Sequence, residues 1–349
     1  MATHTDQTPP HDPRDETAPP VPTNAVGMAP VFTDPLWRIP VRLNPVEVEL
    51  LRTAPLRRLH FVAHGGASTI STLQSYTRLE HSLGVLALVA HFRPEDELLR
   101  AAALLHDIGH LPLSHTVEGV GGLDHHAIGS QLLRAEPIRS VLAGHGIDAG
   151  SVAEVLGGQP LSPLLGRPGL MNLDHLDSYV RSGRAAGRLD DDPAALLARL
   201  TLNDSVVSAD REAAAVLVAL VRAEAQLHTS WDNVGPVSVV RRLAARLLDS
   251  GALTPARLAR MTDAELWSAF DSCEATRAES GMLRYEPHRL RVTVGHADGD
   301  GTGWGYALRK IYCSAPLVRG RRLDESVPEL AADLDALRLL PTEFRVRWS

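Results

Sequence analysis

The chemistry-bearing residues are concentrated in one stretch, Leu104 to His115, which holds His106, Asp107, His110 and His115. An imidazole beside a carboxylate offers one nitrogen and one oxygen donor to a divalent cation, and neighbouring positions near a helix end lie about 100° apart around the axis. His106 and Asp107 can therefore lean toward one ion. The run before them, Glu97 to Leu105, reads as a buried helix. Gly109 then offers a left-handed exit and Pro112 opposes continuation, so His106 and Asp107 are expected in the final helical turn.

Other segments must position partners for this pair. A helix is expected to start near Ser75, with Leu79, Leu83, Leu86 and Ala90 as its core stripe and Arg78 and His81, three apart, on another face. Asn172 to Arg184 reads as a helix with acids first and arginines last, as the macrodipole favours, and Asp174, Asp177 and Arg181 share one of its faces. Asp124 to Leu133 has a capped helical start. Asn44-Pro45 opens a helix with Pro at its first position, and Pro55 to Val62 opens another that ends at Gly65-Gly66. Trp37, Ile39 and Val41 alternate as a short edge strand limited by Pro40.

Later segments carry fewer chemical groups. Helices are expected around Pro193–Leu200, Arg211–Thr229, Val237–Leu248, Thr254–Arg260 and Asp263–Asp271. Arg289 to Val294 alternates as a strand, with Gly305 to Cys313 as a partner across the loop Asp298 to Gly303. That loop lacks the helix-flanked ligand series of a calcium site and reads as a hairpin turn.

Composition bounds the function. A chain of 349 residues with 44% hydrophobic content can bury a large core. The net charge of −7 supplies no global basic field, so nucleic acid is not an expected partner, and an anionic substrate needs a local cationic cluster. Lys310 is the only lysine. Two cysteines cannot build a disulfide framework, no apolar run reaches membrane-spanning length, and the N-terminus lacks signal-peptide order. A cytoplasmic protein without a membrane partner is expected. The Pro-, Thr- and Asp-rich residues 1–29 read as a disordered tail.

His81, then His106-Asp107, then a distant Asp174 form the H…HD…D pattern, and the chain resembles the HD-domain phosphohydrolases. Segments 77–85, 106–115 and 173–181 are similar to those of the deoxynucleoside triphosphate triphosphohydrolase branch, as are Asp34-Pro35, Leu56 to Leu59, Arg309 to Tyr312 and Ala315 to Leu317. The resemblance implies a mainly α HD-domain helical bundle, with a core over 30–192 and a C-terminal helical region with a small antiparallel β-sheet over 193–349. It also implies a divalent metal, manganese, iron or magnesium, on His81, His106, Asp107 and Asp174. His115, Glu118 and His125 would handle protons, His115 and Glu118 meeting on one face if the chain is helical there. Arg78, His110 and Arg181 would neutralise phosphate oxygens.

The departures fall on substrate recognition. Ser178 and Ser182 stand where that branch presents a Tyr and an Asp to the sugar, Ala63-His64-Gly65 replaces its base-contacting Gln-Leu-Gly, and Thr72 to Tyr76 replaces its Pro-Gly-Ala loop. Ser178 remains a candidate substrate contact. The leading expectation is metal-dependent hydrolysis of a nucleotide phosphoester, releasing triphosphate, or orthophosphate from a monophosphate. Two other readings stand beside it: a di-iron oxygenase drawing on His110, His125 or His126, and a non-enzymatic nucleotide sensor. Related enzymes form oligomers, so the resemblance also implies a possible homo-oligomer.

Overall fold

Asp34 shapes the first of the described residues. Its carboxylate accepts from the backbone N–H groups of Leu36 and Trp37 at 3.0 and 2.7 Å and so folds the chain into a turn. The expected strand through Trp37 is therefore a hairpin, with β1 (Val31–Thr33) antiparallel to β2 (Pro40–Arg42) and Trp37 packed inward. The computed structural model describes residues 29–159, 161–295 and 303–349. The expected tail, apart from Ala29, and the loop at 298–302 lie outside the described residues.

Helices α1 (Pro45–Leu51), α2 (Ala54–Arg58), α3 (Arg78–Phe92), α4 (Glu97–Leu105), α5 (His125–Leu133), α6 (Ile138–Gly144), α7 (Ala149–Leu156) and α8 (Leu173–Ala185) follow. Then come α9 (Pro193–Leu197), β3 (Leu200–Asn203), β4 (Val206–Ala209), α10 (Arg211–His228), α11 (Trp231–Asp249), α12 (Pro255–Leu258), α13 (Asp263–Ser272) and α14 (Glu274–Tyr285). The chain closes with β5 (Leu290–Val294), β6 (Trp304–Ala307), β7 (Leu317–Val318), α15 (Leu323–Ser326), α16 (Pro328–Asp335) and β8 (Glu343–Trp348). The protein is mainly α, as expected.

Local chemistry sets the boundaries. α3 starts at Arg78 rather than near Ser75, because Thr77 and Glu80 form a capping box: the Thr77 side chain accepts from Glu80 N, and the Glu80 carboxylate accepts from Thr77 N at 2.7 Å. α2 stops at Arg58 and passes into a 3-10 turn, well before Gly65. α14 and the β3–β4 hairpin were not anticipated. The expected pairing of 289–294 with 305–313 is also different: β8 lies between β5 and β6, antiparallel to both. Phe344 and Val346 give β8 two buried side chains, so it can be flanked on both edges. β7 pairs parallel with β4.

Two apolar clusters form the interior. One joins Phe32, Leu86, Leu104, Val180, Leu217 and Leu334; the other joins Ala67, Val117, Val240, Phe270 and Val346. The stretch after α4 is anchored in both: Ile108 packs in the first, Leu111 and Leu113 in the second, all at 0 to 2% exposure. Burial of each such side chain stabilises by about 1.5–3 kcal/mol, which holds the intervening polar residues in place.

Candidate metal centre and catalytic cavity

His81 sits in the first turns of α3, His106 caps the C-terminus of α4, Asp107 follows it, and Asp174 lies in the first turn of α8. Asn172 caps α8 by accepting from His175 N at 2.8 Å. Asp174 is thereby free of the capping role, and the helix N-terminus favours its negative charge. α3 packs against both α4 and α8, which brings the four residues together.

The ring hydrogen bonds identify which nitrogens face inward. His106 Nδ1 lies 2.7 Å from the Ala103 carbonyl, to which it donates, leaving Nε2 as the lone-pair nitrogen. His81 Nδ1 lies 2.8 Å from Asp177 Oδ2. The two Nε2 atoms face each other at 3.3 Å, with Asp174 Oδ1 at 3.0 Å from His81 and 3.8 Å from His106. Asp107 stands 3.4 Å from His106 and 3.8 Å from His81. Donor spacings of this size match the edges of a coordination shell with bonds of about 2.0–2.2 Å. His81, His106 and Asp174 thus offer donor atoms that all lie within 4.8 Å of one another and could hold a divalent cation, while Asp107, expected as the fourth ligand, stands beside the two imidazoles but outside that group.

Electrostatics point the same way. Burial alone would lower the His81 pKa, but Asp174 and Asp177 outweigh it and push it up to about 9. Burial also opposes the Asp107 charge, yet His106, Arg78 and His110 hold this carboxyl well below the usual range. Asp174 is lowered too, its buried charge held by His81 and His106.

Asp177 is fully buried. Besides His81, it accepts from Trp37 Nε1 at 2.7 Å and from Arg181 Nε and Nη2, both at 2.9 Å. Arg181 also donates to Asp34 at 3.0 Å. Its guanidinium is therefore employed behind His81, away from the cavity wall, in place of the expected phosphate contact. Gly84 permits this approach of α8 to α3, since a Cβ there would stand 2.1 Å from Asp177 Oδ1 and Arg181 Nη2.

A second group adjoins the first. Donor atoms of His110, His115 and His125 lie within 4.8 Å of one another. His110 Nε2 is 3.1 Å from Asp107 Oδ1, and its Nδ1 is buried with no hydrogen-bond partner among the described residues. Burial, with Arg78 nearby, lowers the His110 pKa to about 3; burial, with His110 and Arg78, lowers that of His115. Glu118 pairs with His125 and not with His115: its carboxylate accepts from His125 Nδ1 at 2.8 Å and from His125 N at 3.2 Å. The cause is local. Leu113 and Ser114 both adopt left-handed backbone at φ 54°, and only a 3-10 turn follows, so positions 115 and 118 do not share a helical face.

That unusual backbone is fixed from several sides. Leu113 N donates to Asp263 Oδ1 at 2.6 Å, while Asp263 Oδ2 accepts from Ala63 N at 2.8 Å. Arg78 donates to Ser114 Oγ at 2.8 Å, to Asp107 Oδ2 at 2.9 Å and to the His64 carbonyl at 3.4 Å, so this expected phosphate ligand already has three partners. Gly109 is not left-handed; it is a glycine because a Cβ would stand 2.1 Å from the His125 carbonyl and 2.4 Å from Gly129 N. α5 is thereby seated directly on the loop that carries Asp107 and His110.

Both groups open on a cavity of about 940 Å³. Its wall includes Arg78, Ser178 and Lys310. The lining also includes Gln74, Tyr76 and Tyr312, from segments named in the sequence but given no site role there, and Glu224 and His228, which the sequence reading missed. His64 stacks on Tyr76 at 4.9 Å and meets the edge of His81 at 4.7 Å. Tyr312 lies between His115, His175 and His228, with Lys310 Nζ 4.7 Å above its ring.

The HD domain family matches residues 78–160, the segment from Arg78 through α7 that holds three of the four expected metal ligands. A relative called metal-dependent phosphohydrolase cns2, from Cordyceps militaris, is 29% identical over 242 residues, covering 64% of this chain and 68% of that protein. The deoxynucleoside triphosphate triphosphohydrolase SAMHD1 of Xenopus laevis is 32% identical over 111 residues, but this chain spans only 17% of its length. In fold, the chain is similar to a hypothetical protein from Aquifex aeolicus, with a TM-score of 0.67 at 19% identity, covering 91% of this chain and 96% of the other. A phosphohydrolase from Bacteroides thetaiotaomicron gives 0.61 at 14% identity, covering 91% and 99%. The chain thus carries an HD domain and has metal-dependent phosphohydrolases as homologues, which supports a hydrolase. Among the described residues, no helix is long and apolar enough to cross a membrane.

Proposed function

We propose that the protein hydrolyses a phosphate ester of a nucleotide, with a divalent cation held by His81, His106, Asp107 and Asp174. One observation carries this reading: the His81, His106 and Asp174 donors and a histidine group containing a His–Glu pair lie side by side, linked through Asp107 and His110, on one large cavity. The cation, whether manganese, iron or magnesium, would supply Lewis acidity toward a phosphoryl oxygen and toward water.

The chain's own residues do the rest. Glu118 accepts the Nδ1 proton of His125 and so leaves His125 Nε2 to exchange a proton with the reacting group. His115 flanks it and can donate a hydrogen bond to a phosphoryl oxygen, while the neutral His110 spends its one N–H on Asp107. Lys310 adds positive charge on the wall, and Arg78 holds the Asp107 carboxylate in its ionised form. The homologue named as a triphosphohydrolase supports release of triphosphate. The altered residues Ser178, Ser182 and His64 support a monophosphate or modified nucleotide equally well.

A panel of nucleoside mono- and triphosphates, assayed with each metal and with orthophosphate and triphosphate separated, tests the reading. Turnover of at least one nucleotide is expected, and none with any metal would overturn it. The donor group His110, His115 and His125 gives some support to a second reading, a di-iron oxygenase. Two irons per chain with oxygen uptake would establish that reading, and activity with manganese under nitrogen would remove it.

A further inference from the structure

Two residues with side chains, Leu113 and Ser114, adopt left-handed backbone in succession, both at φ 54°, immediately before His115. That conformation crowds the Cβ of an L-residue, so it persists only where its surroundings impose it. The turn is enclosed: Leu111 to Ser114 and Thr116 to Glu118 are buried, and His115 between them opens on the cavity. Whatever imposes the turn therefore sets where the His115 ring points.

The constraint comes from the far half of the chain. Thr262 and Glu265 form the capping box of α13, so Asp263, its first residue, is not needed as a cap. Its carboxylate instead reaches two segments 150 and 200 residues earlier: Oδ1 accepts from Leu113 N at 2.6 Å and Oδ2 from Ala63 N at 2.8 Å. The Ala63 carbonyl in turn accepts from Ser114 Oγ at 2.5 Å. Both left-handed residues are thus tied, directly or through Ala63, to one carboxylate.

Two guanidinium groups hold the chain on either side of the turn. Arg58 donates to the Met261 carbonyl at 3.0 Å, to the Ile108 carbonyl at 3.4 Å and to the His110 carbonyl, and so joins the entry of α13 to the loop before the turn. Arg241 on α11 donates to the carbonyls of Thr116 and Glu118 at 3.0 and 2.7 Å, after the turn. Of these three side chains, only Asp263 bonds the backbone of a left-handed residue.

We propose that Asp263 is a positioning residue for hydrolysis: through the Leu113–Ser114 turn it sets the His115 ring against the phosphoryl group, so that α13 governs a ring it does not carry. This rests on the phosphohydrolase reading above. The N–H groups of Leu113 and Ala63 each need an acceptor, and an Asn amide in place of Asp263 can supply only one oxygen.

A double-mutant cycle on kcat, measured per folded protein over a range of divalent metal, separates positioning from a general loosening of the fold. Asp263→Ala is expected to lower kcat about 10²-fold, the effect of misplacing a group at the reacting centre by about 1 Å. Asp263→Asn, which keeps one acceptor, should lose less. In a His115→Ala background either substitution should change kcat by less than about twofold, because the ring that Asp263 aims is gone. Equal fold losses in the two backgrounds are what a loosened fold gives, and they overturn the proposal. So does a full kcat for Asp263→Ala, or a loss that excess metal restores. Should Asp263→Ala fail to fold, Asp263→Asn carries the same cycle. If the wild type hydrolyses no phosphate ester, the hydrolase reading fails by itself, and the positioning of His115 is then read from the crystal structure of Asp263→Asn. Leu113 is expected to leave the left-handed region there, and the His115 ring to move from its place 5.0 Å from that of His125. An unchanged turn and ring would overturn the proposal on that ground alone.

Discussion

His81 Nδ1 lies 2.8 Å from Asp177 Oδ2, and this buried contact aims the opposite ring nitrogen at His106 and Asp174. Asp177 is itself saturated by Trp37 and Arg181, so the imidazole is held by a rigid support and not by a mobile side chain. Asp177→Asn keeps the shape but replaces one acceptor oxygen by a donor. Metal affinity is expected to fall about 10–100-fold, as for other partners that orient ligating histidines. Stability should also fall, by about 3–5 kcal/mol, because the buried Arg181 charge loses a partner. Chelator competition on the folded fraction measures the first and urea unfolding the second; an unchanged metal affinity would show that Asp177 serves packing alone.

If the proposed ligands His81, His106, Asp107 and Asp174 hold one ion, removing any of them should act like removing the ion. Chelation is expected to abolish hydrolysis and a divalent cation to restore it. Asp107→Ala should eliminate turnover, because Asp107 faces His106 at 3.4 Å and also holds Arg78 and His110. A sensor would behave differently: nucleotide binding, followed by calorimetry, would persist in the wild type with no turnover under any metal.

Glu118 and His125 make the third case. General acid–base assistance contributes about 10²–10⁴-fold, so His125→Ala is expected to lose activity within that range. Glu118→Gln should lose less, since the amide can still accept from Nδ1 without supporting the imidazolium charge. A proton donor to the leaving group matters most for a poor leaving group. The loss should therefore be larger on an alkyl phosphate ester than on p-nitrophenyl phosphate, and equal losses on both would argue against that role.

Much of this arrangement is legible in the sequence because it is local. His106 and Asp107 stand next to each other, the apolar stripe Leu79, Leu83, Leu86 and Ala90 marks α3, and the acids-first, arginines-last order from Asn172 marks α8, so the elements that carry His81, the HD pair and Asp174 declare themselves, although the capping box that sets the start of α3 was passed over. What escaped depends on distant contacts or on backbone that breaks periodicity. The pairing of Glu118 with His125 follows from consecutive left-handed residues at 113 and 114, which helical spacing does not anticipate. Ser182 reads as the loss of an acid, yet Glu224, 42 residues later, returns a carboxylate to the same spot from another helix. β8 similarly separates two strands that looked like direct partners.

Gly109 and Gly129 face each other where the loop carrying Asp107 and His110 meets α5, and they should respond oppositely to the same methyl group. A Cβ on Gly109 would stand 2.1 Å from the His125 carbonyl and 2.4 Å from Gly129 N, both backbone atoms that cannot rotate away. Gly109→Ala is expected to displace the start of α5, costing about 1–3 kcal/mol or more by overpacking. The shift would carry His125 away from His110, whose ring it stacks on at 4.4 Å, so turnover should fall more than tenfold. A Cβ on Gly129 meets nothing closer than 3.7 Å, an ordinary contact on a helix, so Gly129→Ala should keep both stability and activity or gain slightly. Thermal unfolding and kcat for the two variants side by side give the answer. Equal tolerance of both substitutions would mean that α5 is not seated on the loop in this way.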